Sequence, residues 1–210
     1  EYGVSLIGGD TTKGDWVFNV TIFGEVPKGR GLLRCAAREG DDVWVSGRLG
    51  SAAAALQHLF GNFVLPQAVF RQCEQALLRP IPRVGLGQSL LVEAHAAQDI
   101  SDGLIQDLGH ILDASGAGAE IFWQDIPVLP ELRDCLSSKQ LHQCVLAGGD
   151  DYELLFTADA GRRGQIEVLA RQCGVPVSRI GRVVAGKGIR ILDEEGGQIV
   201  LEKYGFDHFA

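Results

Sequence analysis

The sequence predicts an α+β (mixed α/β) fold, and three observations carry that prediction. Short stretches rich in β-branched and aromatic residues recur at 4–7, 16–24, 42–47, 152–157 and 179–184. Longer stretches with helical spacing of apolar residues lie at 51–59, 66–78, 102–112 and 162–172. The two kinds alternate without the regularity of a doubly wound nucleotide-binding sheet, and no Gly-x-Gly-x-x-Gly fingerprint accompanies them.

Taken in order, Tyr2-Gly-Val-Ser-Leu-Ile7 reads as a strand already in progress, and Trp16 to Gly24 as a second strand after the polar turn Asp10 to Asp15. With no methionine in the chain, this opening suggests a fragment. Residues 1–30 are then the end of an N-terminal β-rich domain and 31–210 a C-terminal α+β domain, with the turn formers Pro27-Lys-Gly-Arg-Gly31 between them. Asp42 to Gly47 is a strand, Gly50-Ser51 leads an Ala-rich helix, and 66–78 is a helix ended by Arg79-Pro80. The stretch 84–95 holds a further helix, and Ala96 to Ser101 is strand-like. From Asp102 the apolar positions Leu104, Ile105, Leu108, Ile111 and Leu112 predict a helix, with Ser101 as N-cap and Gly116 just past its end. Tyr152 to Thr157 is a strand and 162–172 a helix. Strands at 179–184, 189–192 and 198–201 are expected to form a meander.

Composition is that of an ordinary globular chain, 46% hydrophobic and 22% charged. A net charge of −8 and a pI near 5.1 argue against a generic electrostatic grip on nucleic acid. No apolar stretch reaches the length of a membrane span and no signal peptide opens the chain, so no membrane partner is expected. Five widely spaced cysteines, without a Cys-x-x-Cys pair, fit reduced thiols in a cytoplasmic protein.

Three acid-and-glycine segments stand out: Gly8-Gly9-Asp10, Asp99-Ile100-Ser101-Asp102-Gly103 and Gly148-Gly149-Asp150-Asp151-Tyr152-Glu153. Each sits at an element end beside residues that permit close backbone approach. Asp99 and Asp102 flank a tight turn above a helix N-terminus, where backbone N–H groups and the helix dipole attract anions. Carboxylates there suit Mg²⁺, which takes one or two of them plus substrate phosphates. Read singly, each segment also has an ordinary reading as helix cap, hairpin turn or solvated loop. Gly181 to Gly188 imitates a P-loop but lacks its Ser/Thr and precedes a strand, so it reads as a turn. The histidines are dispersed and read as structural or surface groups.

Together the segments, in the order Gly-Gly-Asp-Thr-Thr, Gln-Asp-Ile-Ser-Asp-Gly-Leu and Gly-Gly-Asp-Asp-Tyr-Glu-Leu, with the closing Gly205-Phe-Asp-His-Phe209, resemble the thiamine-monophosphate kinase family. That family lies in the aminoimidazole ribonucleotide synthetase-like superfamily of ATP-binding proteins. The resemblance implies transfer of a phosphoryl group from ATP to thiamine monophosphate, giving thiamine diphosphate. It places Gly9, Asp10, Arg34 and Ser101 on ATP, Asp10, Asp99 and Asp102 on Mg²⁺, and Asp150 and Phe206 on the substrate. Asp150 stands where some members carry Glu, and Phe206 where others carry Trp or Tyr. It further implies a homodimer paired through N-terminal domains, and more metal-binding acids upstream of this chain. The acceptor is itself a phosphate oxygen, mostly dianionic at neutral pH, so no catalytic general base is required. Two other readings keep the fold: a related ATP-dependent synthetase with another acceptor, and a nucleotide-binding module without catalysis.

Overall fold

The computed structural model describes residues 2–201 and divides the chain after Gly31 into two units. In the first, the two expected strands are absent. Residues 4–24 run without a ladder, and their apolar side chains are exposed, from 70% at Val4 to 95% at Leu6. The residue types suit strands, yet a strand exists only when a second strand takes up its N–H and C=O groups, and no such partner is paired with these residues. Local order is limited to contacts such as the stacked Trp16 and Phe18 rings, 6.1 Å apart.

The second unit is built on a six-stranded sheet. Its strands are β1 (Asp42–Ser46), β2 (Ala96–Asp99), β3 (Gly118–Phe122), β4 (Leu154–Ala158), β5 (Val177–Val184) and β6 (Gly188–Leu192). Their order is β2-β4-β1-β5-β3-β6, antiparallel except for β3 with β6. Seven helices accompany it: α1 (Ser51–Leu59), α2 (Gln67–Leu78), α3 (Val84–Leu90), α4 (Leu104–Ser115), α5 (Pro130–Cys135), α6 (Ser138–Leu146) and α7 (Arg163–Cys173). The expected α+β class holds. The expected meander does not, because β3 lies between β5 and β6, and Gln198 makes only an isolated bridge to Leu192.

Every residue of β1 is buried, because both sheet faces are covered at its centre. Alternation sends Val43 and Val45 into the main core, with α4 residues Leu104, Leu108 and Ile111. Trp44 points the other way and stacks on its cross-strand neighbour Phe156, centroids 6.1 Å apart, among Leu86, Leu90 and Ile166 of α3 and α7. Helix ends follow local chemistry. Gly116 closes α4 at φ 69°, and Ser137 and Gln140 form a reciprocal capping box at the start of α6. All five cysteines are free thiols, and burial raises Cys73 to about 11 and Cys144 to about 12. Among the described residues no helix is long and apolar enough to cross a membrane.

Candidate functional site

Two of the three acid-and-glycine segments meet at one end of the β2–β4 pair. β2 and β4 run antiparallel with Asp99 opposite Leu154. The pairing continues past the strand ends, as Ile100 N–H donates to the Glu153 carbonyl at 2.9 Å and Tyr152 N–H to the Ile100 carbonyl at 2.8 Å. Asp150 N–H then donates to the Ser101 carbonyl at 2.9 Å. Gly149 passes so close that a Cβ there would lie 2.2 Å from the Ser101 carbonyl oxygen. Gly103, at φ 122°, leaves equally little room, since a Cβ would lie 2.9 Å from the Ala147 carbonyl carbon. The glycines are thus needed for backbone-to-backbone contact between segments distant in sequence.

This contact gathers Asp99, Ser101, Asp102 and Asp150. Tyr152, at φ 49°, and Asp150, at φ 66°, both hold the left-handed conformation that non-glycine residues seldom adopt. The Tyr152 hydroxyl donates to Asp150 Oδ1 at 3.3 Å. Partial burial raises the Tyr152 phenol above its ordinary value, and the charges of Asp150, Asp99 and Asp102 raise it further. All three carboxylates therefore create negative potential at one place. Asp151 turns the other way and accepts the Gly50 N–H, 3.0 Å from each of its oxygens, at the start of α1. Loss of hydration pushes its carboxyl well above the usual range, against the pull of the Gly50 and Ala52 N–H groups and with help from Glu153 and Asp150.

The start of α4 departs from its sequence reading. Ser101 is not the N-cap; Gly103 is, and its backbone has no side chain to offer. No side chain caps α4; Asp107, fully buried in the first turn, binds the turn ahead of the helix. Its Oδ2 accepts the N–H groups of Ser101 at 2.9 Å, Asp102 at 3.0 Å and Gly103 at 3.2 Å, while Oδ1 accepts Gln98 Nε2 at 2.6 Å. Burial raises the Asp107 carboxyl, and the three N–H bonds oppose that rise. Asp107 therefore holds the turn ahead of α4 and its N-cap amide, while the N–H groups of Leu104, Ile105 and Gln106 in the first turn are not among those it accepts. Asp107 was detectable in the sequence, because it stands in the stripe of Leu104, Leu108 and Ile111 where an apolar residue belongs.

Glu153 has an equally structural position. Buried beside Gly47, it accepts Arg83 Nε at 2.7 Å, Arg83 Nη2 at 2.5 Å and the Ser46 hydroxyl at 2.5 Å. No sequence signal pairs it with Arg83. Arg34 is exposed in a short 3₁₀ turn, and its carbonyl accepts the Ser115 hydroxyl at 3.1 Å, at the C-terminal end of α4. Since α4 rises about 1.5 Å per residue, that is the opposite end of the helix from Asp102. Gly9 and Asp10 are exposed in the first unit, where Asp10 Oδ1 accepts the Thr11 N–H at 2.8 Å. Phe206 lies outside the described residues.

The histidines have structural places. His58 Nδ1 accepts the Leu65 N–H, His95 bonds Asp41, and His142 packs on Trp123. His110 is exposed, 3.8 Å from Asp107. The P-loop imitation at 181–188 is the end of β5, the bend 185–187 and the first residue of β6, with no helix after it. Among the described residues no group of three or more His, Cys, Asp or Glu is gathered to hold a metal ion. The donors present fit Mg²⁺ in the open manner that this ion prefers, with one or two carboxylates and the remaining positions left to phosphate and water. The negative potential on Tyr152 is the physical sign that a cation would be welcome there.

Known proteins resemble this chain over its length. A thiamine-monophosphate kinase of Haemophilus influenzae is 40% identical over 214 residues, which takes in 100% of this chain and 65% of the relative. The chain therefore spans 65% of the length of these curated relatives. The crystal structure of a thiamine-monophosphate kinase from Stenotrophomonas maltophilia K279a superposes with a TM-score of 0.75 at 41% identity, covering 83% of this chain and 56% of that one. AaThiL, solved in complex with AMPPCP and TMP, gives a TM-score of 0.69 at 31% identity, covering 85% and 54%. The family model described as AIR synthase related protein, C-terminal domain, matches residues 38–194, and the chain belongs to that family.

Proposed function

We propose that the protein carrying this chain transfers the terminal phosphoryl group of ATP to thiamine monophosphate. The observation that supports this best is the junction of two distant loops, which brings the segment of Asp99 and Asp102 and that of Asp150 together ahead of α4. Similarity to thiamine-monophosphate kinases, one of them solved with AMPPCP and TMP, supports the choice of substrates.

In this proposal Asp99 and Asp102 hold Mg²⁺ and Ser101 contacts ATP, while Asp150 faces the acceptor. When bound, Mg²⁺ supplies charge screening between two anionic phosphates and an in-line arrangement. Because the acceptor is a phosphate oxygen, the residues need only bind and align, and we propose direct transfer without a phosphoenzyme or a general base. Gly9 and Asp10 on ATP, Asp10 on Mg²⁺, Phe206 on the thiamine rings, and a homodimer belong to the same proposal through motif resemblance alone. Arg34 on an ATP phosphate rests likewise on its motif match, not on proximity to the acids.

The test is ADP release by the whole protein with a panel of phosphorylated acceptors. Thiamine monophosphate should be preferred, and Asp102→Asn should lower turnover by on the order of a hundredfold with an unchanged melting profile. Preference for another acceptor would favour a related synthetase. Near-normal turnover of Asp102→Asn at saturating Mg²⁺ would return Asp102 to an ordinary helix-start role.

A further inference from the structure

We propose that Asp107 is a positioning residue for the candidate cation site: it holds the loop 101–103 in the conformation that presents Asp99 and Asp102 together. The inference rests on the proposed phosphoryl transfer for its functional half, and on the hydrogen-bond geometry for its structural half.

Between Asp99, at the end of β2, and Leu104, the first residue of α4, the chain turns through four residues. Three consecutive N–H groups of that turn point to one oxygen, Asp107 Oδ2, at 2.9, 3.0 and 3.2 Å. The carboxylate is in turn held by Gln98, which precedes Asp99 on β2, so one side chain ties strand, turn and helix. A turn gripped at three successive amides cannot rotate its Asp102 peptide without breaking a hydrogen bond to a buried carboxylate.

The three amides that Asp107 holds lie just ahead of α4, in the turn that Asp99 precedes and that contains Asp102. Asp107 thus fixes that turn from the protein side. Gly149 on the Ser101 carbonyl and Asp150 N–H on the same atom fix the other edge of the turn.

The experiment uses the whole protein with Asp107→Asn, and Asp113→Asn, exposed further along α4, as the charge control. Mn²⁺ is titrated in the presence of AMPPCP and followed by its electron paramagnetic resonance signal, and backbone amide exchange is read at 101–103 and 108–112. Asp107→Asn should weaken Mn²⁺ binding about tenfold or more, as loss of bonds to a charged group implies, and release amides 101–103 while 108–112 stay protected. Gln98→Leu, which leaves the three N–H bonds in place, should shift Mn²⁺ affinity in the same direction by less. Asp113→Asn should change neither readout. If Asp107→Asn lowers the melting temperature with Mn²⁺ affinity unchanged, Asp107 is scaffold only and the proposal fails. If Asp107→Asn does not fold, Gln98→Leu decides by the same titration. If amides 101–103 are released but wild-type protein shows no transfer to thiamine monophosphate, the functional reading fails while the positioning stands.

Discussion

At the scale of single residues, the acids near the β2–β4 end divide by what surrounds them. Asp99, Asp102 and Asp150 retain access to solvent, with Asp102 also accepting Gln106 Nε2 at 3.4 Å and Asp150 the Tyr152 hydroxyl, whereas Asp107 and Glu153 are enclosed by the protein. Glu153 shows what enclosure demands. A buried carboxylate is tolerable only with its hydrogen bonds complete, and here a bidentate Arg83 and the Ser46 hydroxyl complete them. Arg83→Met leaves that charge without its cation and should cost about 3–5 kcal/mol. The double variant Arg83→Met with Glu153→Gln should recover part of the loss. Urea unfolding midpoints of the three proteins test this; equal midpoints for wild type and Arg83→Met would show that the pair adds nothing.

At the scale of elements, the β2–turn–α4 unit and the loop ahead of β4 act as one piece. Gly149 is their point of contact, and what a Cβ there would meet is backbone, which cannot swing aside as a side-chain tip can. Gly149→Ala should therefore separate the loops, destabilise by about 1–3 kcal/mol, and reduce transfer activity more than the stability loss accounts for. Chemical denaturation paired with an ADP-release assay checks both halves. Wild-type activity with wild-type stability would show that the loops adjust without consequence. Gly164, at which a Cβ meets nothing within 4 Å, provides the matched control in α7.

For the whole molecule, the partly buried Asp151 links stability to pH. Its folded pKa is raised, chiefly by lost hydration, so the folded state keeps a proton that the unfolded state gives up. The associated stability is fully present below the unfolded pKa of about 3.9 and is lost as pH rises through the folded pKa. Asp151→Asn removes that loss while keeping an oxygen for the Gly50 N–H. Its melting temperature relative to wild type should thus be more favourable at about pH 8 than at about pH 4.5. Calorimetry at both values measures this, and a pH-independent difference would mean that Asp151 ionises normally.

What the sequence by itself determined was local. The 3.6-residue periodicity placed α1, α2, α4 and α7 close to their observed limits, Gly116 announced the end of α4, and two of the three acid-and-glycine segments, 99–103 and 148–153, lie at element ends, whereas Gly8-Gly9-Asp10 borders no element. These properties depend on neighbours a few residues away, where steric preference and amphipathic spacing decide. Other features required the tertiary structure. Placement of β3 between β5 and β6, loss of the expected strands at 4–7 and 16–24, and Gly103 instead of Ser101 as the N-cap of α4, with Asp107 holding the turn before it, are among them. So is the contact of Gly149 with Ser101. A ladder needs a partner whose identity no single segment contains. A buried carboxylate is assigned its donors by the packing that encloses it, and one-dimensional pattern has no term for either.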